Sequence, residues 1–162
     1  MSSTLAHTAI IGAAAGAAAA LLVNALTKPP TKRNRPSLEP VKATKAGPAG
    51  GHYSQAMKNG GEVFISGLLP VAPDGTKNMG PIEDQVKVVL NNLGAILKES
   101  GSSPEKLISV RVYLANFSHE NWAAFNKLYN EFVGEHKPAR AVVPVPELHH
   151  GFLVEVEAIA AL

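Results

Sequence analysis

Arg140 and Glu155 are residues whose types and spacing could do chemistry together. Arg140 lies in the run Pro138-Ala139-Arg140-Ala141-Val142-Val143-Pro144-Val145, and Glu155 in Val154-Glu155-Val156-Glu157-Ala158. A guanidinium is a planar fork that matches a carboxylate through two parallel hydrogen bonds. A nearby Glu can shuttle a proton or position a water. Together they outline a pocket for a small organic acid with chemistry beside it. Glu155 and Glu157 are two apart on an extended segment, so both face one side, where a carboxylate can also simply line a solvated surface. Any β-rich domain carries such residues. Their weight depends on the elements that position them.

Those elements are legible from periodicity. Val63-Phe64-Ile65-Ser66-Gly67 reads as a strand, with His52 to Lys58 as its partner across the turn Asn59-Gly60-Gly61. Pro73-Asp74-Gly75 marks a further turn. Pro81 and the acidic pair Glu83-Asp84 open a helix; Ile82, Val86, Val89, Leu90, Leu93 and Leu97 recur at helical spacing, and Gly101 closes it. Ile108, Val110, Val112 and Leu114 alternate as a strand buried on one face. Ser118 caps a second helix whose Trp122, Phe125, Tyr129 and Phe132 form an apolar stripe, read as core packing. Strands around 141–145 and 152–160 finish the chain. The order ββαβαββ, with no dinucleotide glycine fingerprint and no P-loop, predicts an α+β domain with helices on one face of a mixed sheet. Its edges are surfaces that oligomerisation could cover.

Composition divides the 162 residues into three parts. Residues 1–27 hold no charged side chain, 28–50 hold six Lys/Arg against Glu39 alone, and 51–162 hold nine Lys/Arg against twelve Asp/Glu, net −3. The basic balance therefore belongs to the linker, and the acidic domain lacks the basic stripe that nucleic-acid binding needs. No cysteine is present, and the six histidines show no HxH or HExxH spacing. With His149 and His150 adjacent on an extended segment and so facing opposite ways, no metal site is expected. Leu5 to Leu26 is a marginal, Ala-rich candidate for crossing a bilayer, interrupted by His7 and Asn24. It reads either as an anchor that leaves the domain cytoplasmic, by the basic cluster after it, or as an organelle import signal. A secretory signal is disfavoured because no positive charge precedes the run. The reading is thus an anchor or targeting segment over 1–27, a basic Pro-rich tether over 28–46, and a domain over 47–162.

Six fragments in this order resemble the Rid (reactive intermediate deaminase, YjgF) family over about Gly47 to Ala160. They are Tyr53-Ser54-Gln55-Ala56, Ser66-Gly67 followed by Pro70, and Glu83 to Gln85 with Leu90-Asn91-Asn92-Leu93. Phe125-Asn126 with Tyr129, Pro138-Ala139-Arg140, and Val154 to Ala160 complete the set. The resemblance implies a chorismate-mutase-like subunit in a homotrimer with clefts between subunits. It also implies hydrolysis of enamines and imines of the 2-aminoacrylate type to 2-keto acids and ammonia, without a cofactor. By position, Arg140 would hold the substrate carboxylate and Glu155 would orient or deprotonate the attacking water. Tyr53 and Asn126 would line the pocket, and the backbone at Gly67 and Val142 would approach the ligand. Departures are His52 where the family has proline, Leu68 where it has glutamine, and Val142 where it often has cysteine. The family's Leu-Pro-Lys turn is here Leu148-His149-His150; the two histidines are expected to be exposed turn residues rather than pocket residues. Other readings are a non-catalytic, small-acid-binding regulatory trimer and, less favoured, a ribonuclease or translation inhibitor.

Overall fold

The structure, a computed structural model, describes residues 37–162. The expectations for residues 1–36 lie outside the described residues. Six strands form one sheet: β1 (Leu38–Val41), β2 (Ala56–Asn59), β3 (Glu62–Leu68), β4 (Leu107–Ala115), β5 (Ala139–Val145) and β6 (Val154–Ala161). Two helices complete the fold, α1 (Ile82–Ser100) between β3 and β4, and α2 (His119–Val133) between β4 and β5. The order across the sheet is β1-β2-β3-β6-β4-β5. Neighbours are antiparallel except β4 and β5, which the α2 crossover makes parallel. The fold is the expected α+β mixed sheet, preceded by one strand that the sequence reading placed in the tether.

That strand corrects the boundary at 47. Val41, Ala43 and Ala46 are buried in the core. The Gln55 amide stitches the segment down: it accepts from Ala43 N at 2.8 Å and donates to the carbonyls of Ala43 and Gly47 at 3.2 and 2.7 Å. Asn92 on α1 accepts from Gly47 N at 3.0 Å and donates to Val71 O at 2.8 Å. A proline-rich composition suggests a free tether. Here buried side-chain amides supply the backbone partners that such a segment otherwise takes from water.

Local chemistry explains the helices. Pro81 stands immediately before α1 with extended backbone, Glu83 and Asp84 sit at the positive end of its dipole, and Gly101 ends it at φ 84°. The Ser118 hydroxyl accepts from Asn121 N at 3.1 Å and caps α2. The buried stripe of α2 is Phe125, Tyr129 and Val133. Trp122 stands one turn before it and is 39% exposed, so its assignment to the core fails. Ile108 also departs from expectation at 44% exposed. Leu107 pairs with Ala160 but Ser109 with Ile159, so one extra residue bulges at Ile108 and reverses the alternation before Val110 resumes it.

The alternation of β6 fixes the two faces of the sheet. Val154, Val156, Ala158 and Ala160 are buried with the helices, in one core with Val86, Leu93, Val112 and Phe125. Glu155, Glu157 and Ile159 point to the opposite face, where Glu157 pairs with Arg111 at 2.8 Å.

Candidate active site

Glu155 stands over a second bulge. Ile65 pairs with Ala158 and Leu68 with Val156, so Ser66-Gly67 carries an extra residue against β6. Ser66 anchors the bulge, its hydroxyl donating to Ser54 O at 2.7 Å and its N–H to Gln55 O at 3.1 Å. The bulge brings the Gly67 Cα directly under the Glu155 carboxylate; a Cβ there would collide with Glu155 Oε1. Glycine at 67 is what lets the carboxylate lie this close, a matter of space and not of φ, which is not positive there. Burial, and then the charge of Glu157, push the Glu155 pKa above the ordinary carboxylate value, opposed by His149. A raised pKa in a cleft marks a group suited to proton transfer.

The cleft at Glu155 measures about 670 Å³ and includes Tyr53, Gly67, Leu68, His149 and His150. Tyr53 is 51% exposed, so it is no core aromatic; its hydroxyl accepts from Gly50 N at 3.1 Å. His149 and His150 are exposed, as expected of a turn, yet they also line the cleft. They form a 3-10 turn (His149–Gly151), not an extended pair, and His150 takes φ 60°. Its ring lies edge-on to His149 and to the buried Phe152, with centroids 4.8 and 5.9 Å away.

Arg140 is elsewhere. It pairs in register with Val110, whose partner on β6 is Ala158, so its side chain leaves the sheet on the helix face. There its guanidinium donates to Asn126 Oδ1 at 2.9 Å and lies 4.7 Å above the Tyr129 ring. Val142, two residues on, shares this face. Asn126 and the Tyr129 ring thus hold the exposed guanidinium from two directions. Tyr129 stacks on Phe125 with centroids 5.5 Å apart. Its hydroxyl is buried without a hydrogen-bond partner among the described residues. Burial raises the Tyr129 pKa and the Arg140 charge opposes the rise.

One chain therefore carries two separate clusters of candidate residues. Tyr53, Gly67 and Glu155 meet on the open face of the sheet; Asn126, Val142 and Arg140 meet at the β5 edge on the helix face. Sequence proximity of the two segments did not bring Arg140 to Glu155, because β4 lies between their strands and the residues have opposite parity. Tyr129 was missed as a contributor because its helical spacing is that of a core residue, which it also is.

Among the described residues there is no group of three or more His, Asp or Glu that could hold a metal ion. Nor is any helix among them long and apolar enough to cross a membrane.

Comparison with known proteins places the chain in a family. The family described as endoribonuclease L-PSP matches residues 44–162. MMF1 of Saccharomyces cerevisiae, named a mitochondrial protein, is 39% identical over 134 residues, covering 83% of this chain and 91% of its own. Reactive Intermediate Deaminase A of Arabidopsis thaliana, named chloroplastic, is 35% identical over 125 residues, covering 76% of this chain and 66% of its own. The crystal structure of E. coli TdcF with bound serine superposes with a TM-score of 0.71 at 31% identity, covering 76% of this chain and 98% of that one. The chain belongs to the endoribonuclease L-PSP family, which is the YjgF or Rid family.

Proposed function

We propose that the protein hydrolyses enamine and imine intermediates of the 2-aminoacrylate type to 2-keto acids and ammonia, in clefts between the subunits of a homotrimer. The observation that carries this reading is the pair of complementary half-sites: a guanidinium at Arg140 held by Asn126 and the Tyr129 ring, and a raised-pKa carboxylate at Glu155, each facing out of its own chain. A second copy that brings its β5 edge against the Tyr53-Gly67-Glu155 cleft completes the site. The name Reactive Intermediate Deaminase A, borne by a relative, supports the reaction class.

In the closed site the partner subunit's Arg140 anchors the substrate carboxylate. The enamine takes a proton at carbon and becomes an imine, whose carbon is electrophilic. Glu155 accepts a proton as water adds its oxygen to that carbon, giving a carbinolamine. Glu155 returns its proton to the nitrogen, the C–N bond breaks, ammonia leaves, and the hydroxyl sheds its proton as the carbonyl of the keto acid forms. Anchoring supplies proximity, and the carboxylate supplies general acid–base assistance. The reaction needs no metal or cofactor. Asn126 holds the arginine, Tyr53 lines the wall, and the backbone at Gly67 and Val142 borders the ligand.

The test generates 2-aminoacrylate in situ with a dehydratase and follows pyruvate release. The protein is expected to accelerate release, and Arg140→Ala and Glu155→Gln each to abolish the acceleration. No acceleration by the unaltered chain overturns the reading in favour of a binding trimer. A polyanionic RNA substrate, which the family's description names, has less support because residues 51–162 are net −3.

Residues 1–27 serve, in this reading, as an organelle-import segment, supported by the mitochondrial designation of MMF1. Sequencing the mature N-terminus after cell fractionation tests it; an intact N-terminus in a membrane fraction favours the anchor instead.

A further inference from the structure

The cleft at Glu155 also gathers a lysine and two histidines. Lys77, His149 and His150 line it, against Glu155 as its only carboxylate. His149 sits close enough to Glu155 to lower its pKa, whereas burial first, and then Lys77 and His149, disfavour a proton on His150. No carboxylate within 4 Å pairs with Lys77 or either histidine among the described residues. Glu147 borders a shallower neighbouring depression with the same histidines and forms no such pair. The histidines are held rather than free. His150 occupies a left-handed backbone conformation at φ 60°, and its ring rests edge-on against buried Phe152 and against His149. Left-handed backbone costs a non-glycine residue energy, and a turn that keeps it fixes where the ring points. A lysine ammonium beside two imidazoles that can each offer an N–H, with no carboxylate paired to them, is suited to an anion.

We propose that the cleft selects imino acids bearing a second carboxylate, which Lys77, His149 and His150 receive while the partner subunit's Arg140 takes the carboxylate beside the reacting carbon. This deepens the deaminase reading and rests on it for the reaction, though not for the recognition. The substrate class is the dicarboxylic 2-imino acid, the kind that oxidation of an acidic amino acid supplies. A polar cluster at each end would hold the chain of the substrate across Glu155. A neutral 2-imino acid would be held at one end only.

Calorimetric titration of the full chain with 2-oxoglutarate and with 2-oxopentanoate separates recognition from turnover, since these keto acids share a five-carbon chain and differ in the distal carboxylate. At least tenfold tighter binding of 2-oxoglutarate is expected, about what one or two charge-assisted hydrogen bonds supply. Lys77→Met and His150→Asn should each narrow that preference threefold or more; asparagine tolerates the left-handed conformation, and Lys77 is exposed, so both variants fold. Thermal melting checks that they do. Equal affinity for the two acids overturns the proposal, as does a preference that survives in the double variant. Turnover is read separately, on imines made from glutamate and from norvaline by amino-acid oxidases. Selective binding without turnover of any imine would defeat the deaminase reading and leave the recognition standing. Turnover of both imines with equal kcat/KM and equal affinity would do the reverse.

Discussion

The two half-sites are built on opposite principles. At Arg140 the functional group is exposed, and its position is imposed by soft contacts from a neighbouring helix, an amide oxygen at 2.9 Å and an aromatic face at 4.7 Å. At Glu155 the functional group is half-buried, and its position is imposed by backbone: a bulged strand lies against the carboxylate with no room for a Cβ between them. The first arrangement keeps a permanently charged group in water, where the proposed partner subunit would meet it. The second removes a carboxylate from water so that it holds a proton more readily. In the proposed reaction recognition and proton transfer need those different surroundings, and the sheet sends one group to each face.

The largest expected effect tests whether the halves act as a unit. Arg140→Ala and Glu155→Gln should each cost about 10²- to 10⁴-fold in kcat/KM for imine hydrolysis. Unfolding and refolding the two inactive variants together should restore activity, to about a quarter of the unaltered protein's if copies mix at random around closed sites. Failure of the mixture to recover, with correct assembly by light scattering, would mean that both groups act within one chain.

Gly67→Ala should come next and touch only the Glu155 half. Its methyl displaces the carboxylate, and a misplacement of that order costs roughly 100-fold in kcat. Binding of a keto acid at Arg140 should survive, which titration reads. Equal losses in kcat and binding would erase the contrast between the halves.

A smaller effect belongs to the soft half. Tyr129→Leu removes the ring under the guanidinium, a contact of about 0.5–1 kcal/mol at an exposed site, and should raise KM roughly two- to fivefold with kcat kept. Tyr129→Phe keeps the ring, discards the unpartnered hydroxyl, and should leave KM unchanged with equal or higher Tm. A similar KM rise in both variants would assign the effect to the hydroxyl rather than to the ring under the guanidinium.

The smallest effect is on stability. Glu155 titrates higher in the folded chain than in the unfolded one, so its contribution is fully present below the unfolded value and is lost as pH rises through the folded value. Glu155→Gln should therefore melt slightly higher than the unaltered protein at pH 7, and the gap should close below about pH 4. A gap that widens on acidification would show the carboxylate to be stabilised by its surroundings, contrary to the burial at this site.

Much of the scaffold was legible because it is local. The α1 stripe from Ile82 to Leu97, the Gly101 stop and the β6 alternation each follow from residues within a few positions of one another. What escaped depends on pairings between distant segments. Alternation gives parity within a strand, so Glu155 and Glu157 were rightly placed together, but parity between strands needs the register. Nothing in the spacing of Arg140 and Glu155 reveals that Val110 and Ala158 align with the former. The bulges at Ile108 and Ser66-Gly67 shift parity for the same reason, with no local mark. β1 was hidden because the amides that fix Ala43 and Gly47 stand at Gln55 and Asn92. The family marks themselves are mixed: Gln55, Gln85 and Asn92 bond to backbone and hold the scaffold, while Tyr53, Arg140 and Glu155 face outward.

The stitching of Ala43 and Gly47 by Gln55 also limits proteolytic maturation. Gly47, Pro48 and Ala49 are part of the wall of the Glu155 cleft, and the chain leading to them is held by β1 on the sheet edge. A processing peptidase that cut before Leu38 would leave edge, stitch and wall in place. One that cut between Val41 and Gly47 would release β1, free the buried amide of Gln55 from its partners, and open the cleft from behind. Residues 38–47 therefore set the downstream limit for any trimming of the chain that leaves the edge and the Glu155 cleft intact.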